Sequence, residues 1–529
     1  MHINPIDLEI YWSRLIAVVD EAGAALKRTA FSTVVRESND FVCVLLDQDA
    51  ELLAMSSISV AGFIGTASST LQQMLEVFPA AGLQPGDVLF TNDPWIGSGH
   101  LPDASMAAPI FRGGAIVGYV VTIAHLSDIG GKQWSAGCNE VYEEGIRFPV
   151  LKLAERGKLN RLVLDILKAN VRVPDRVLGD IDAMLAAMHV CDVRLTEFLD
   201  DYGLDDLRAI AESIYRVSRG AALQEIRSIP PGTYFGEVEA DGWDTTIRIK
   251  ASVVVSADGI TVDYSGSSPQ SEFGINESYN HTFAYTLCPF KCMLCPEIPN
   301  NSGFTRLFTV IAPEGTIVNS RFPAAVGARQ LVGHLLQAAV FDALAEVLPD
   351  RVQADSGTPL WTMVLHGTEP AEGRTFSTIL FFNGGMGAMQ GRDGYACTSF
   401  PANISNTPLE VTENIAPILF LSKSLYADSG GAGRHRGGAG QIIAFESRWP
   451  GLIKASLLTE RTRVPAKGLL GGGPGKTGYV MKNGAHVAQP KGIVELGIGD
   501  VLEFALPGGG GFGIERGPDP ASGIERERQ

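Results

Sequence analysis

Asp87-Val88-Leu89-Phe90-Thr91-Asn92-Asp93-Pro94-Trp95-Ile96-Gly97-Ser98-Gly99-His100-Leu101-Pro102-Asp103 opens as an apolar strand and then breaks into a loop. Two glycines and two prolines forbid regular structure past Thr91. Ala115 to Ala124 is a second apolar strand, followed by His125-Leu126-Ser127-Asp128-Ile129-Gly130-Gly131. Two strand-to-loop junctions therefore each present a histidine with an aspartate three residues on. Imidazole nitrogen with carboxylate oxygen suits zinc, manganese or iron(II), and a sheet holds ligands from neighbouring strand ends rigidly enough to converge. An open position on such an ion would hold a water of lowered pKa, a source of hydroxide at neutral pH. The plainer alternative is that His100 and His125 cap their loops through ordinary hydrogen bonds.

Outward from this stretch the chain reads as a mixed α+β protein. Asn4-Pro5 looks like an N-cap with proline at the first helical position, and Leu8, Trp12, Leu15, Val19, Ala22 and Leu26 recur at helical spacing up to about Arg28. Phe41 to Leu46 predicts a buried strand, and Thr66 to Val77 a helix. Helices are expected over 159–169, 178–199 and 204–226, then strands near 235–241, 245–256 and 259–264, interrupted by a helix over 329–347. After about residue 355 short strands alternate with glycine turns, and Asn483-Gly484 marks a hairpin. The expected organisation is a metal-binding α/β domain over 1–155, a helical section over 156–230, an α+β domain over 231–354, a β-rich domain over 355–513 and a mobile charged tail over 514–529.

The chain of 529 residues carries a formal charge of −17, which argues against nucleic acid or an anionic membrane as the main partner. No run of apolar residues is long enough to span a bilayer, and the first residues lack a basic then apolar leader pattern. Seven cysteines, an odd number in so long a chain, point to reducing cytoplasm rather than a disulfide framework.

Several motifs together resemble the hydantoinase B family, the B-type subunits of ATP-dependent hydantoinases, caprolactamase-like lactamases and the related ketone carboxylases. They are Arg36-Glu37-Ser38-Asn39-Asp40-Phe41, Thr91 through Asp103, Ala124 through Gly131, and Glu144-Gly145-Ile146-Arg147-Phe148-Pro149. Downstream come Asp263-Tyr264-Ser265-Gly266, Pro313-Glu314-Gly315, Asp428 through Arg434, and Pro507 through Gly511. The resemblance covers about residues 4 to 513, and it lies in the order and number of the motifs. It departs from the family at Ser38-Asn39, where basic residues are usual, and over Ala61 to Ser68, a segment toward substrate.

The resemblance implies one divalent metal, zinc or manganese, on Asp40, His100, Asp103 and His125. It implies that ATP is bound by an A-type partner, which phosphorylates the amide or enolate oxygen of a small cyclic amide or ketone. This chain, in a hetero-oligomer, would then direct metal-bound hydroxide at the activated carbon of a cyclic amide. A ketone carboxylase subunit is the alternative, and a non-catalytic scaffold for the ATP-binding subunit a third. Asp128 is expected to orient an imidazole, with metal ligation or loop capping as alternatives. Asp93 is as much a turn former as a catalytic group. Glu144 and Arg147 are candidates for substrate contact, or an internal ion pair.

Other motifs carry less. Gly475-Lys476-Thr477 looks like the end of a phosphate loop, but Leu470 stands where glycine is needed and a strand is expected next. Cys288, Cys292 and Cys295 have the spacing of an iron–sulfur motif in apolar, proline-flanked surroundings that favour buried or free thiols. His435 lies between two arginines in a glycine loop, a patch for a partner or for solvent.

Overall fold

A computed structural model describes residues 3–132, 134–369, 371 and 373–515; the expected mobile tail lies almost wholly outside the described residues. The architecture is α+β, with four sheets among the described residues and every described helix but the short Leu409–Ile415 in the first two thirds of the chain.

The first helix, Pro5–Thr29, starts where Asn4 accepts a hydrogen bond from the Asp7 amide at 2.9 Å, and buries Leu8, Trp12, Leu15, Val19, Ala22 and Leu26. It packs with helix Pro174–Asp201 on one face of a seven-stranded antiparallel sheet. The strand order is Leu52–Met55, Phe41–Asp47, Ala115–His125, Asp103–Arg112, Val88–Thr91, Leu151–Glu155, Lys158–Leu159. Strand Phe41–Asp47 is buried throughout, yet its side chains still alternate. Phe41, Cys43 and Leu45 join the core under the two helices, whereas Val42, Val44 and Leu46 join a second core on the opposite face. That second core contains helices Tyr279–Leu294 and Gln330–Leu344 and the sheet built from Gly232–Asp241, Thr246–Ser256, Gly259–Asp263 and Phe308–Ile311. Burial of each large aliphatic side chain stabilises by roughly 1.5–3 kcal/mol, so the sheet is held from both sides.

The C-terminal part is β-rich. A four-stranded sheet (Thr375–Phe382, Trp361–Thr368, Leu452–Leu458, Ile493–Leu496) and a five-stranded one (Ile418–Leu425, Gln441–Ser447, Val501–Ala505, Tyr479–Lys482, Ala485–His486) share a core around Leu365, Leu457, Phe445 and Phe504. The Asn483-Gly484 turn has positive φ at both residues, as a two-residue hairpin requires. Glycine segments beside these sheets pack backbone on backbone: a Cβ at Gly437 would sit 1.9 Å from the Gly509 carbonyl oxygen.

Two elements differ from the sequence reading. Asp103 begins a ten-residue strand, Asp103–Arg112, rather than closing a loop. Pro109 obscures that strand in the sequence, and the fold tolerates it because the short neighbour Val88–Thr91 pairs only as far as Ala107. The apolar segment after Ser278 is a helix, Tyr279–Leu294, buried on nearly every side, so it shows no amphipathic period.

Candidate metal centre

The sheet brings the candidate residues together through strand order. Strand Ala115–His125 lies between Phe41–Asp47 and Asp103–Arg112 and runs antiparallel to both, so its last residue meets the first residues of its neighbours. Asp103 pairs directly with His125, and the His125 amide donates to the Asp40 carbonyl at 3.1 Å. His100 arrives from the preceding loop. Asn92 braces that loop by donating to the carbonyls of Leu101 (2.8 Å) and Ile146 (2.9 Å) and accepting from the Phe148 amide. Gly99 has φ of 103°, and a Cβ there would lie 2.6 Å from Arg329 Cδ. Glycine alone lets the loop pass under that arginine.

One donor atom each from His100, Asp103 and His125 lies within 4.8 Å of the others, and all three residues are buried. The Nδ1 atoms point at carbonyls, Gly327 for His100 (3.0 Å) and Leu126 for His125 (2.9 Å). A carbonyl only accepts, so each Nδ1 carries the proton and each Nε2 keeps a lone pair. Both Nε2 atoms are buried without a hydrogen-bond partner. His100 Nε2 lies 2.9 Å from Asp103 Oδ1, yet out of line for a hydrogen bond. Converging lone pairs of this kind are what a shared cation requires. Asp103 Oδ2 is engaged by Ser98 Oγ at 2.5 Å and Arg329 Nη2 at 2.6 Å, which leaves Oδ1 to complete the set.

The charges agree with this donor set. Burial holds His125 down to about 3, with His100 adding to the effect. Burial and the Arg329 guanidinium also lower His100, so both rings are neutral at pH 7. Burial opposes ionisation of Asp103, but His100 and Arg329 outweigh it and keep the carboxyl below its usual range. Asp40 lines the same cavity with a carboxyl raised by burial and by the neighbouring Asp103. It falls outside the three-donor cluster. A divalent ion would favour the ionised form of both carboxyls.

Glu144, Arg147 and Asp128 sit around the cluster. Glu144 is buried, and its Oε1 accepts from the amides of Val326 (2.7 Å) and Gly327 (2.6 Å). It thereby sets the Gly327 carbonyl that orients His100. Burial pushes the Glu144 carboxyl up to about 8. Arg147 pairs with Asp93 at 3.1 Å and lies over the Phe322 ring, so no Glu144–Arg147 ion pair forms. Asp93 Oδ1 also accepts from the Trp95 amide, a turn-forming contact. Asp128 accepts from the Gly130 amide at 2.9 Å and from Arg172, through its amide and its Nη1; the imidazole Nδ1 atoms have other partners.

Residues not singled out from sequence complete the cavity: Trp134, His281, Tyr285, Arg329, Gln330 and His334. The Trp134 ring lies 4.4 Å from that of His125 and 5.3 Å from that of His100. His281 Nδ1 meets Glu277 Oε2 at 2.6 Å in a fully buried pair. Their signal in the sequence is histidine or glutamine inside otherwise apolar helices. The C-terminal part adds Leu360, Ala402 and Ile404, and Ile404 also borders a wider cleft of about 740 Å³.

Fold and cluster together define a protein with a buried histidine–carboxylate centre at the end of an antiparallel sheet. The Hydantoinase B/oxoprolinase family model matches residues 4–515, and the chain belongs to that family. It is 30% identical over 554 residues to the B-type chain assigned to a D-/L-hydantoinase of Pseudomonas sp. (strain NS671), covering 98% of this chain and 91% of that one. The solved ATP-dependent caprolactamase from Pseudomonas jessenii matches with a TM-score of 0.89 and 27% identity, over 97% of this chain and 92% of that one. A nucleotide-free acetone carboxylase has a TM-score of 0.86 at 19% identity, over 96% of this chain and 76% of that one, a likeness of fold. Among the described residues no helix is long and apolar enough to cross a membrane.

Proposed function

We propose that this chain is the metal-binding B-type component of an ATP-dependent hydrolase of cyclic amides, in a hetero-oligomer whose A-type partner phosphorylates the substrate's amide oxygen. The observation that carries the reading is the pair of unpartnered imidazole Nε2 atoms facing Asp103 Oδ1 inside a buried cavity. Names among the relatives, caprolactamase and hydantoinase, supply the substrate class. His100, Asp103 and His125 would hold zinc or manganese, with Asp40 as the fourth ligand. When bound, such an ion supplies Lewis-acid polarisation and makes water a better nucleophile at neutral pH.

The chain's own groups do the rest. Arg329 and Ser98 fix Asp103, and Gly327 and Leu126 fix the imidazole tautomers. Trp134, Phe63 and Leu360 wall the cavity against bulk water. His281 Nδ1 lies 2.6 Å from Glu277 Oε2, and burial drives the pair toward its neutral form, lowering the imidazole and raising the carboxyl. Gly475-Lys476-Thr477 runs into strand Tyr479–Lys482 rather than a helix, which supports ATP binding on the partner.

Metal analysis of the purified chain should return one equivalent of zinc or manganese, lost in His125→Ala together with turnover in the reconstituted complex. Turnover surviving that change, with the complex intact, would leave only a scaffold. Labelled bicarbonate separates the two chemistries: label retained in product means a carboxylase, and no label with an opened ring means the hydrolase.

A further inference from the structure

Gln330 opens helix Gln330–Leu344, is 4% exposed and lines the cavity that holds His100, Asp103 and His125. Its Oε1 and Nε2 are both buried with no hydrogen-bond partner in the chain. A buried carboxamide with neither end satisfied is costly, on the order of 1–3 kcal/mol per group. Such a group in a cavity beside a catalytic centre is poised for a ligand that offers one donor and one acceptor side by side.

We propose that Gln330 is the substrate-specificity residue and reads the amide edge of a cyclic amide through two antiparallel hydrogen bonds. The inference rests on the hydrolase reading above and adds the recognition element to it. A small ring locks its amide cis, so N–H and C=O lie on one edge, the complement of a carboxamide. Nε2 donates to the ring's carbonyl-derived oxygen, and Oε1 accepts from the ring N–H. The edge is present in the amide and is lost in the O-phosphorylated C=N form. When water adds across the activated C=N bond, its oxygen bonds to carbon and one of its protons ends on nitrogen. That again leaves an N–H beside a carbon-bound oxygen. A ketone offers no N–H and would leave Oε1 buried and unpaired, a penalty that discriminates more strongly than a missing methylene. The free space beside the cluster is only about 30 Å³, so a ring enters only when the cavity widens, and Ile404 is the lining residue it shares with the wider cleft.

The test uses the full-length purified chain with three probes: 2-pyrrolidinone, N-methyl-2-pyrrolidinone and cyclopentanone. Binding is followed by saturation-transfer NMR titration. The lactam should bind roughly 10-fold tighter than either analogue, about one hydrogen bond's worth. Gln330→Met should erase that preference and melt no lower than the parent, because it replaces orphaned polar atoms by apolar ones of similar shape. Equal binding of the three probes, no binding of the lactam, a preference that survives in Gln330→Met, or a lower melting temperature would each overturn the proposal. If the methionine variant does not fold, Gln330→Leu, which also loses the acceptor for the ring N–H, must lose the preference. The two readings fail separately. Unlabelled ring opening with an unchanged preference in the variants removes Gln330 alone, whereas bicarbonate label in the product removes the hydrolase.

Discussion

Replacing Glu144 by glutamine should remove a large pH dependence of stability. The carboxyl is buried, holds two backbone amides through Oε1 and leaves Oε2 without a partner. Burial therefore favours the neutral acid and raises its titration from 4.5 to about 8. The unfolded chain releases this proton near 4.5 and the folded chain keeps it until about 8. Between those values the folded state binds one more proton, so stability falls with rising pH. The contribution is present in full below 4.5 and lost by 8, a span of about 3.5 pH units. At about 1.4 kcal/mol per unit the loss is roughly 5 kcal/mol. Glu144→Gln keeps the acceptor for Val326 and Gly327 and does not titrate. Urea midpoints of both proteins from pH 5 to 8.5 should start close together and diverge, the variant ending more stable by several kcal/mol. A difference that stays flat across that range, or a variant less stable at pH 8, would refute the argument that the carboxyl is neutral in the fold.

Two further outcomes follow from the same bonding. Asp128→Ala removes the acceptor for Gly130 and Arg172 and should cost about 1–3 kcal/mol while leaving metal content unchanged. Metal loss comparable to that of His125→Ala, measured by plasma mass spectrometry, would show instead that Asp128 acts on the centre. Lys491 Nζ donates to the Asp241 carbonyl at 2.5 Å and to Glu460 Oε2 at 2.6 Å, all buried. Lys491→Met strands the Glu460 charge and should lower stability by about 3–5 kcal/mol, read as a fall in melting temperature; an unchanged melt would mean that the pair is not buried in solution.

The parts of the centre legible in the sequence are those carried by local pattern. His100 and His125 announce themselves because strand-like runs end in glycine and proline loops at each, and Asn4-Pro5 announces the first helix because capping is a local event. What stays hidden depends on contacts between distant segments. Asp103 begins a strand only because His125, far along the chain, pairs with it. Asp128 has the spacing of an orienting partner for an imidazole, but that work falls to the carbonyls of Gly327 and Leu126, and a backbone carbonyl leaves no mark in a sequence. Glu144 acts at one remove, through amides lying 182 and 183 residues on, so no motif could assign it. Helix Tyr279–Leu294 is buried on most sides, which erases the period that would reveal it and hides Glu277 and His281 at its start. The same logic explains why Gln330 is informative. A glutamine in an apolar helix reads as an accident until the fold closes around it, and only then does the absence of any partner for its two polar atoms point to a ligand.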